Sequence, residues 1–399
     1  MHHRTSGQSR RRTILSSVAA TAALTLGLAA CGGSDSSDSS GSGSDATGAA
    51  VADAIQLKAG ELNFDPTKYC GDKPMKVGYI TGFGSNTWSV TAKAVIDKFK
   101  DYCPNITELE YYDANGDVTK YNNTLNAWAA QGFNVVYAFD GTFGTQTLPA
   151  FRAAQQAGVK IGVANIPLGD DVVPDTVTAS VVQDQDDMAA QYVKFFDDAK
   201  KDGTSQILLI GGTPGNTLDP GLIKRMKANI EETGADVKFL QDSPIVGNWD
   251  IAASAQAAAA VIPKYKNIDG VLLTNAAVAP AVMRAFQSAG RPVPAIGGTG
   301  ITSGTICEVE KVRKSDPNVQ MLSLDATGNS GPIALAKAMA AFQGIDESEL
   351  GPDDVETYVR LAPYVDTLNG QMPECDSSLP ADADPTMALT TDEIAAAVG

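Results

Sequence analysis

The sequence has almost no histidine: His2 and His3 are its whole complement, at the start of a chain of 399 residues. Both fall in a segment read below as a removable leader, so the working protein is expected to carry none. That excludes a Ser-His-Asp or Cys-His nucleophile, a histidine general base and a histidine-ligated metal. Cysteine is scarce too, with five residues and no C-x-x-C pair, which argues against a thioredoxin-like redox site or a zinc site. Lys and Arg number 30 against 47 Asp and Glu, a net charge of −17. No nucleic-acid partner is expected, because phosphates require clustered basic residues. The apolar run from Ile14 to Ala30 is too short and too poorly apolar for a transmembrane helix.

What is present at the start reads as an address. Arg4, Arg10, Arg11 and Arg12 precede the apolar run, and Leu28-Ala29-Ala30-Cys31 closes it. A basic stretch, an apolar stretch and small residues form an export signal over residues 1–30. Its end resembles the bacterial lipobox, in which the thiol of Cys31 is lipidated and the chain is cut just before it. Arg11-Arg12-Thr13-Ile14-Leu15 also fits a twin-arginine pattern loosely. Cleavage would leave 26 basic and 47 acidic residues, a net charge of −21. Such a surface favours solubility and is repelled by anionic lipid, so the lipid itself would hold the protein at the outer face of the membrane. Residues 31–50, mostly Gly, Ser and Asp, cannot bury a core and are expected to be a flexible tether spanning roughly 20–25 Å. Four cysteines remain: Cys70, Cys103, Cys307 and Cys375. An even number in an exported chain suggests two disulfides. The preferred pairing is Cys70–Cys103 with Cys307–Cys375; four free thiols is the alternative.

At 43% hydrophobic and 19% charged residues over its whole length, the chain has a globular composition and is long enough for two domains. From residue 75 onward, short apolar runs alternate with amphipathic stretches. Strands are expected at 75–80, 108–112, 135–139, 160–164, 178–182, 206–210, 237–241, 270–274, 295–298 and 320–324. Helices are expected between them, for example at 118–131, where Val118, Tyr121, Leu125 and Trp128 share one face. Strand–helix alternation implies an α/β protein with parallel sheets and right-handed crossovers. Ten strands are many for one doubly wound sheet, so two sheets in two lobes is the expected architecture.

In such sheets a ligand binds beyond the carboxyl ends of the strands. The residues there include Asn86-Thr87-Trp88, Phe139-Asp140-Gly141, Asn165-Ile166, Gly247-Asn248-Trp249-Asp250, Asn275, Gly298-Thr299-Gly300 and Asp325. They are rich in Asn, Asp, Gly and aromatic rings and contain no Lys, Arg or His. Such mouths suit a neutral or cationic hydrogen-bonding molecule with an apolar face; phosphate or carboxylate would call for arginine. Other readings of single residues stay open. Trp88 and Trp249 could be core packing, Asn275 a helix cap, Asn165 a turn residue, and Asp325 a hinge or cap residue. Asp113-Ala114-Asn115-Gly116-Asp117 imitates the start of a calcium loop, but Val118 and Thr124 stand where Gly and Glu are required.

The ordered set of these segments resembles the type I periplasmic binding proteins, the ribose-binding-like solute receptors of ABC importers. The similarity runs from about residue 76 to about 365. Lys76-Val77-Gly78-Tyr79-Ile80 followed by Asn86-Thr87-Trp88 is similar to the family's first strand and its loop. Ala130-Gln131-Gly132-Phe133-Asn134-Val135-Val136, Asn248-Trp249-Asp250 and Ile268-Asp269-Gly270-Val271 to Asn275 match in order. The resemblance implies two doubly wound parallel-sheet lobes joined by three crossings, near Ser180, Asp325 and Gly344. The N-terminal lobe would be 70–180 plus 326–344, and the C-terminal lobe 181–325 plus 345–370. Residues 376–399 would be a loosely attached tail.

The resemblance also implies a ligand pocket of Asn86, Trp88, Phe139, Asn165, Trp249, Asn275, Thr299 and Asp325. Asn165-Ile166 replaces the Asp-Arg pair common in sugar receptors, and Thr299 stands where Asp is usual. The implied function is a lipid-anchored, monomeric, extracytoplasmic receptor without enzymatic activity, cofactor or metal. It would pass a small uncharged ligand, a sugar or polyol first, to an ABC permease. A less hydroxylated ring compound as ligand, or a ligand-presenting sensor on the same scaffold, is the alternative. A carboxylate-based glycosidase is the enzymatic one.

Overall fold

The computed structural model describes residues 53–84, 86–139, 143–165, 168, 175–352 and 355–398. The leader, Cys31, the tether and Ile166 lie outside the described residues. The strands are β1 (Ile55–Gln56), β2 (Met75–Thr81), β3 (Ile106–Asp113), β4 (Val135–Phe139), β5 (Lys160–Asn165), β6 (Ala179–Gln183) and β7 (Ser205–Gly211). They continue with β8 (Val237–Phe239), β9 (Ile245–Val246), β10 (Gly270–Leu273), β11 (Ala295–Gly298), β12 (Met321–Asp325), β13 (Glu356–Arg360) and β14 (Ala362–Asp366).

Two sheets form, in the orders β1-β13-β6-β5-β4-β2-β3 and β14-β12-β11-β10-β7-β8, with β9 beside β7. All pairings are parallel except that of β12 with β14. The fold is thus α/β with two mostly parallel sheets, as the alternating pattern requires. Helices cover the faces of these sheets, so β4, β6, β10 and β12 are buried along their whole lengths and read as continuous apolar runs. The helix Ser330–Gln343 lies so close on β5 that a Cβ on Gly162 would sit 2.1 Å from the Ala334 carbonyl oxygen. Only glycine permits that approach.

The chain passes from the first sheet to the second after β6, returns after β12 and passes again between β13 and β14. This corrects the expected third crossing near Gly344. Residues 356–360 pair with β6 and β1 and belong with the first sheet, so the third passage falls at Leu361. The strand carries little sequence signal because it alternates between buried and half-buried residues, without the apolar run of a central strand. The tail also differs from expectation. Ala383, Asp384, Thr386, Met387 and Ile394 are buried, and a helix closes the chain at Thr391–Val398.

Cys70 bonds to Cys103 and Cys307 to Cys375, with Cα–Cα distances of 5.1 and 4.6 Å. The first closes a loop across 33 residues at the edge of the first sheet. Removing it as Cys70→Ser/Cys103→Ser is expected to cost about 3 kcal/mol of unfolding free energy. Urea denaturation checks this; an unchanged midpoint would show that the bridge constrains nothing.

Candidate functional site

The carboxyl ends of both sheets face a common cleft with a cavity of about 110 Å³. The first sheet contributes Phe83, Asn86, Trp88, Ser89, Phe139, Asn165 and Gln183, and the second Leu218, Trp249, Thr274, Asn275, Thr299 and Gly300. Thr327, just past β12, completes the lining. None of these carries a charge. Seven of the eight residues expected from the sequence therefore meet in one place; Asp325 does not line the cavity.

On the first lobe, Asn86 caps the helix Thr87–Asp97, its Oδ1 accepting the Ser89 amide at 2.9 Å. The cap sets Trp88 in the first turn, where its ring centroid is 4.9 Å from that of Phe139 at 42°. Trp88 and Phe139 form a tilted pair. At the end of β5, Asn165 has φ +85°, a left-handed conformation that asparagine tolerates better than most residues. Its Oδ1 accepts from Gln183 Nε2 at 2.7 Å. Gln183 Oε1 is left buried without a hydrogen-bond partner among the described residues.

On the second lobe, Asn248 and Trp249 have φ values of +55° and +52°. Two successive left-handed non-glycine residues, one an indole, are costly and persist only where surroundings impose them. The amides of Gly247 and Trp249 donate to the Gly211 carbonyl at 3.0 and 3.4 Å, and that of Asn248 to Gly212 at 3.2 Å. The indole lies flat against Gly212, where a Cβ would fall 2.2 Å from Trp249 Cε2.

Trp249 Nε1 donates to Thr274 Oγ1 at 3.0 Å, and Thr274 Oγ1 donates to Asp219 Oδ1 at 2.7 Å. Asp219 Oδ2 accepts from the Gly212 amide at 2.8 Å and from Asn216 Nδ2 at 3.0 Å. The network locks the ring plane and leaves its face free to stack. Asn275 spends its Oδ1 on the Ala277 amide at 3.0 Å and donates Nδ2 to the Trp249 carbonyl at 3.1 Å. Its capping role is thus realised alongside its place in the cleft. Thr299 lines the cavity, and its Oγ1 is buried without a partner among the described residues.

Asp325 works one layer back. Its Oδ1 accepts the amides of Gly300 and Ile301 at 2.7 and 2.9 Å, which fixes the loop carrying Thr299 and Gly300. Burial pushes its carboxyl up to about 6. Burial and the Asp325 charge push the Asp384 carboxyl up to about 7. Both lie above the ordinary carboxylate value of an unfolded chain, so the protonated forms stabilise the native state. That stability is fully present below the unfolded value of 3.8 and is lost as pH rises through about 6 and about 7. Asp384→Asn cannot titrate there. Its melting temperature is expected to gain on that of the unsubstituted protein between pH 5 and pH 8; a difference constant across that range would contradict the burial argument.

Several lining residues lie outside the eight expected for the pocket. Phe83, Gln183 and Gly300 are strand-end residues, where position alone points to the cleft. Leu218 and Thr274 had no local signal, and neither did Asp219 behind the site.

Two α/β lobes with a neutral, aromatic cleft between them define a binding-protein fold. The periplasmic binding protein domain matches residues 77–345, and the chain belongs to that family. Its place of work is extracytoplasmic. The solute-binding protein of an ABC transporter from Thermobispora bispora is 18% identical, with a TM-score of 0.59 over 73% of this chain and 86% of that one. One from Burkholderia graminis in complex with D-arabinose is 11% identical, with a TM-score of 0.61 over 76% and 99%. One from Bacillus halodurans with bound myo-inositol is 15% identical, with a TM-score of 0.56 over 74% and 96%. Comparison with curated proteins finds no match. Among the described residues no helix is long and apolar enough to cross a membrane.

Proposed function

We propose that the chain is a lipid-anchored receptor that captures a neutral sugar or polyol in this cleft and delivers it to an ABC permease. The observation that carries the reading is the lining. Uncharged hydrogen-bonding groups, Asn86, Asn165, Gln183, Asn275 and Thr299, surround rings contributed by both lobes, Trp88 and Phe139 on one side and Trp249 on the other. The myo-inositol of the Bacillus halodurans protein and the D-arabinose of the Burkholderia graminis protein support the same class. Capture between open lobes, stacking, and closure about the hinge complete the cycle. Micromolar affinity needs about −8 kcal/mol, within reach of a few hydrogen bonds and two stacked faces. The lipid on Cys31 and the tether would hold the receptor near its permease.

A second ligand class, a neutral ring compound with few hydroxyls, is favoured by one feature: Phe83 and Leu218 add apolar surface to the three central rings. Thermal-shift screening of the mature chain against neutral sugars, inositols, neutral aromatic compounds, carboxylates and phosphates separates the readings. A rise in melting temperature with a neutral polyol is expected. Stabilisation by an aromatic compound alone would select the second class, and stabilisation by carboxylates or phosphates alone would defeat both.

A further inference from the structure

The C-terminal segment touches both lobes. On the second lobe, Cys375 is bonded to Cys307 within the helix Ser303–Ser315. The amides at that helix's start, Ser303 and Gly304, donate to the carbonyls of Ala383 and Ala381 at 2.9 and 2.6 Å. On the first lobe, Thr87 hydrogen-bonds Asp382, and Lys98 pairs with Glu393 at 2.9 Å. Asn329, at the base of the helix Ser330–Gln343, clasps the segment from both sides. Its Nδ2 donates to the Thr386 carbonyl at 3.1 Å, and its Oδ1 accepts the Ala388 amide at 3.0 Å.

The segment also covers one side of Trp88. Ala383, Met387, Ala388, Leu389 and Ile394 form an apolar cluster with Ala92 and Val95, against which Trp88 packs. Met387 and Trp88 converge on Gly328, where a Cβ would lie 2.3 Å from Met387 Sδ and 3.5 Å from Trp88 Cζ2. Asp384 is fully buried, its Oδ1 accepting the amide and hydroxyl of Thr386 at 2.8 and 2.6 Å. Thr386 Oγ1 in turn accepts the Ala326 amide at 3.2 Å, where the chain leaves β12 to return to the first lobe. The indole of Trp88 is near enough to Asp384 to favour its ionised form. Asp384 Oδ2 nonetheless makes no hydrogen bond of normal geometry among the described residues.

We propose that residues 375–394 form a strap that ties the two lobes together beside the hinge and sets the position of Trp88 in the cleft, with Asp384 as the positioning residue. The strap is a fourth connection in addition to the three chain crossings, so the lobes cannot separate fully without shedding either its hydrogen bonds to Ser303 and Gly304 or its contacts with Thr87, Lys98 and Asn329. Trp88 is held between Phe139 on one side and the strap on another, which presents its ring to the cavity in a fixed attitude. The strap's bearing on affinity rests on the reading of the cleft as the ligand site. The test uses the ligand-free chain, so a cleft that binds nothing and a strap that positions nothing give different results.

Asp384→Ala in the mature chain is compared with the unsubstituted protein by tryptophan emission, acrylamide quenching and hydrogen exchange. The expected result is red-shifted, more readily quenched emission that disappears from the comparison when both proteins also carry Trp88→Phe. Exchange of the Ser303, Gly304 and Ala388 amides is expected to quicken about 10-fold or more, while that of Gly270–Leu273 in the second sheet holds. Unchanged emission, an emission change that survives Trp88→Phe, or exchange that rises equally in Gly270–Leu273 would overturn the assignment. Should Asp384→Ala not fold, Met387→Ala is read by the same signals and the same criteria.

Discussion

Trp249→Ala is expected to weaken binding of the cleft's ligand by between about 30- and 150-fold while leaving the protein folded. The ring offers one stacking face of the second lobe, and its loss forfeits about 2–3 kcal/mol of apolar and aromatic contact. Each 1.4 kcal/mol is a factor of about ten. The protein should tolerate the change because Trp249 stands at the cleft and its φ of +52° is a cost that alanine also bears. Thr274 keeps a partner in Asp219 when the indole is gone. Calorimetric titration of the neutral sugar or polyol found by screening checks the figure. An affinity unchanged within about twofold would remove the central residue from the site.

Asp219→Ala is expected to have the second large effect, by a different route. Asp219 lies behind the cavity and is 1% exposed, yet its carboxylate accepts from the Gly212 amide, Asn216 and Thr274. Replacing it leaves buried donors unpaired at about 1–3 kcal/mol each before relaxation, so a loss of about 2–4 kcal/mol of stability is expected. Thr274 also loses the acceptor that orients it toward Trp249 Nε1, so affinity should fall about 10-fold beyond any loss of folded protein. Asp219→Asn, which keeps one acceptor oxygen, should recover part of both. Denaturant unfolding and calorimetry on the same samples separate the two effects. Equal affinity in folded Asp219→Ala would show that the network does not position the ring.

Much of this arrangement was legible because strand ends announce themselves. Trp88, Phe139, Asn165, Asn275 and Thr299 follow apolar runs, and a parallel sheet places such positions at one edge whatever the detailed packing; Trp249 follows only the two-residue β9 and is legible through the Asn-Trp-Asp resemblance. Asp325 shares the same strand-end position, but its carboxylate turns inward to two backbone amides, a choice made by the neighbouring loop and invisible from β12 alone. Asp219 sits in the first turn of the helix Leu218–Thr233, where an acidic residue looks like ordinary dipole complementation. Its tertiary partners are 55 residues away at Thr274.

β13 was missed because an edge-like alternation carries less signal than a buried run. The tail was misjudged for a related reason. Pro-Ala-Asp-Ala-Asp-Pro over residues 380–385 has the composition of a solvated linker, but small residues and paired polar groups are what a segment needs to lie against backbone at Gly304 and Gly328. Composition measures how much apolar area a segment has to bury; it does not register how closely a small-residue segment can approach another.

The proposed occupant of the cleft is a neutral, hydroxylated ring held between aromatic faces from two lobes. Isothermal titration of the mature chain with the polyol selected by thermal shift tests it most directly, run alongside Trp88→Ala and Trp249→Ala. One site per chain, affinity near the micromolar range, and a loss of at least about tenfold in each variant are expected. Binding of equal strength in both variants, or binding of charged ligands alone, would contradict it.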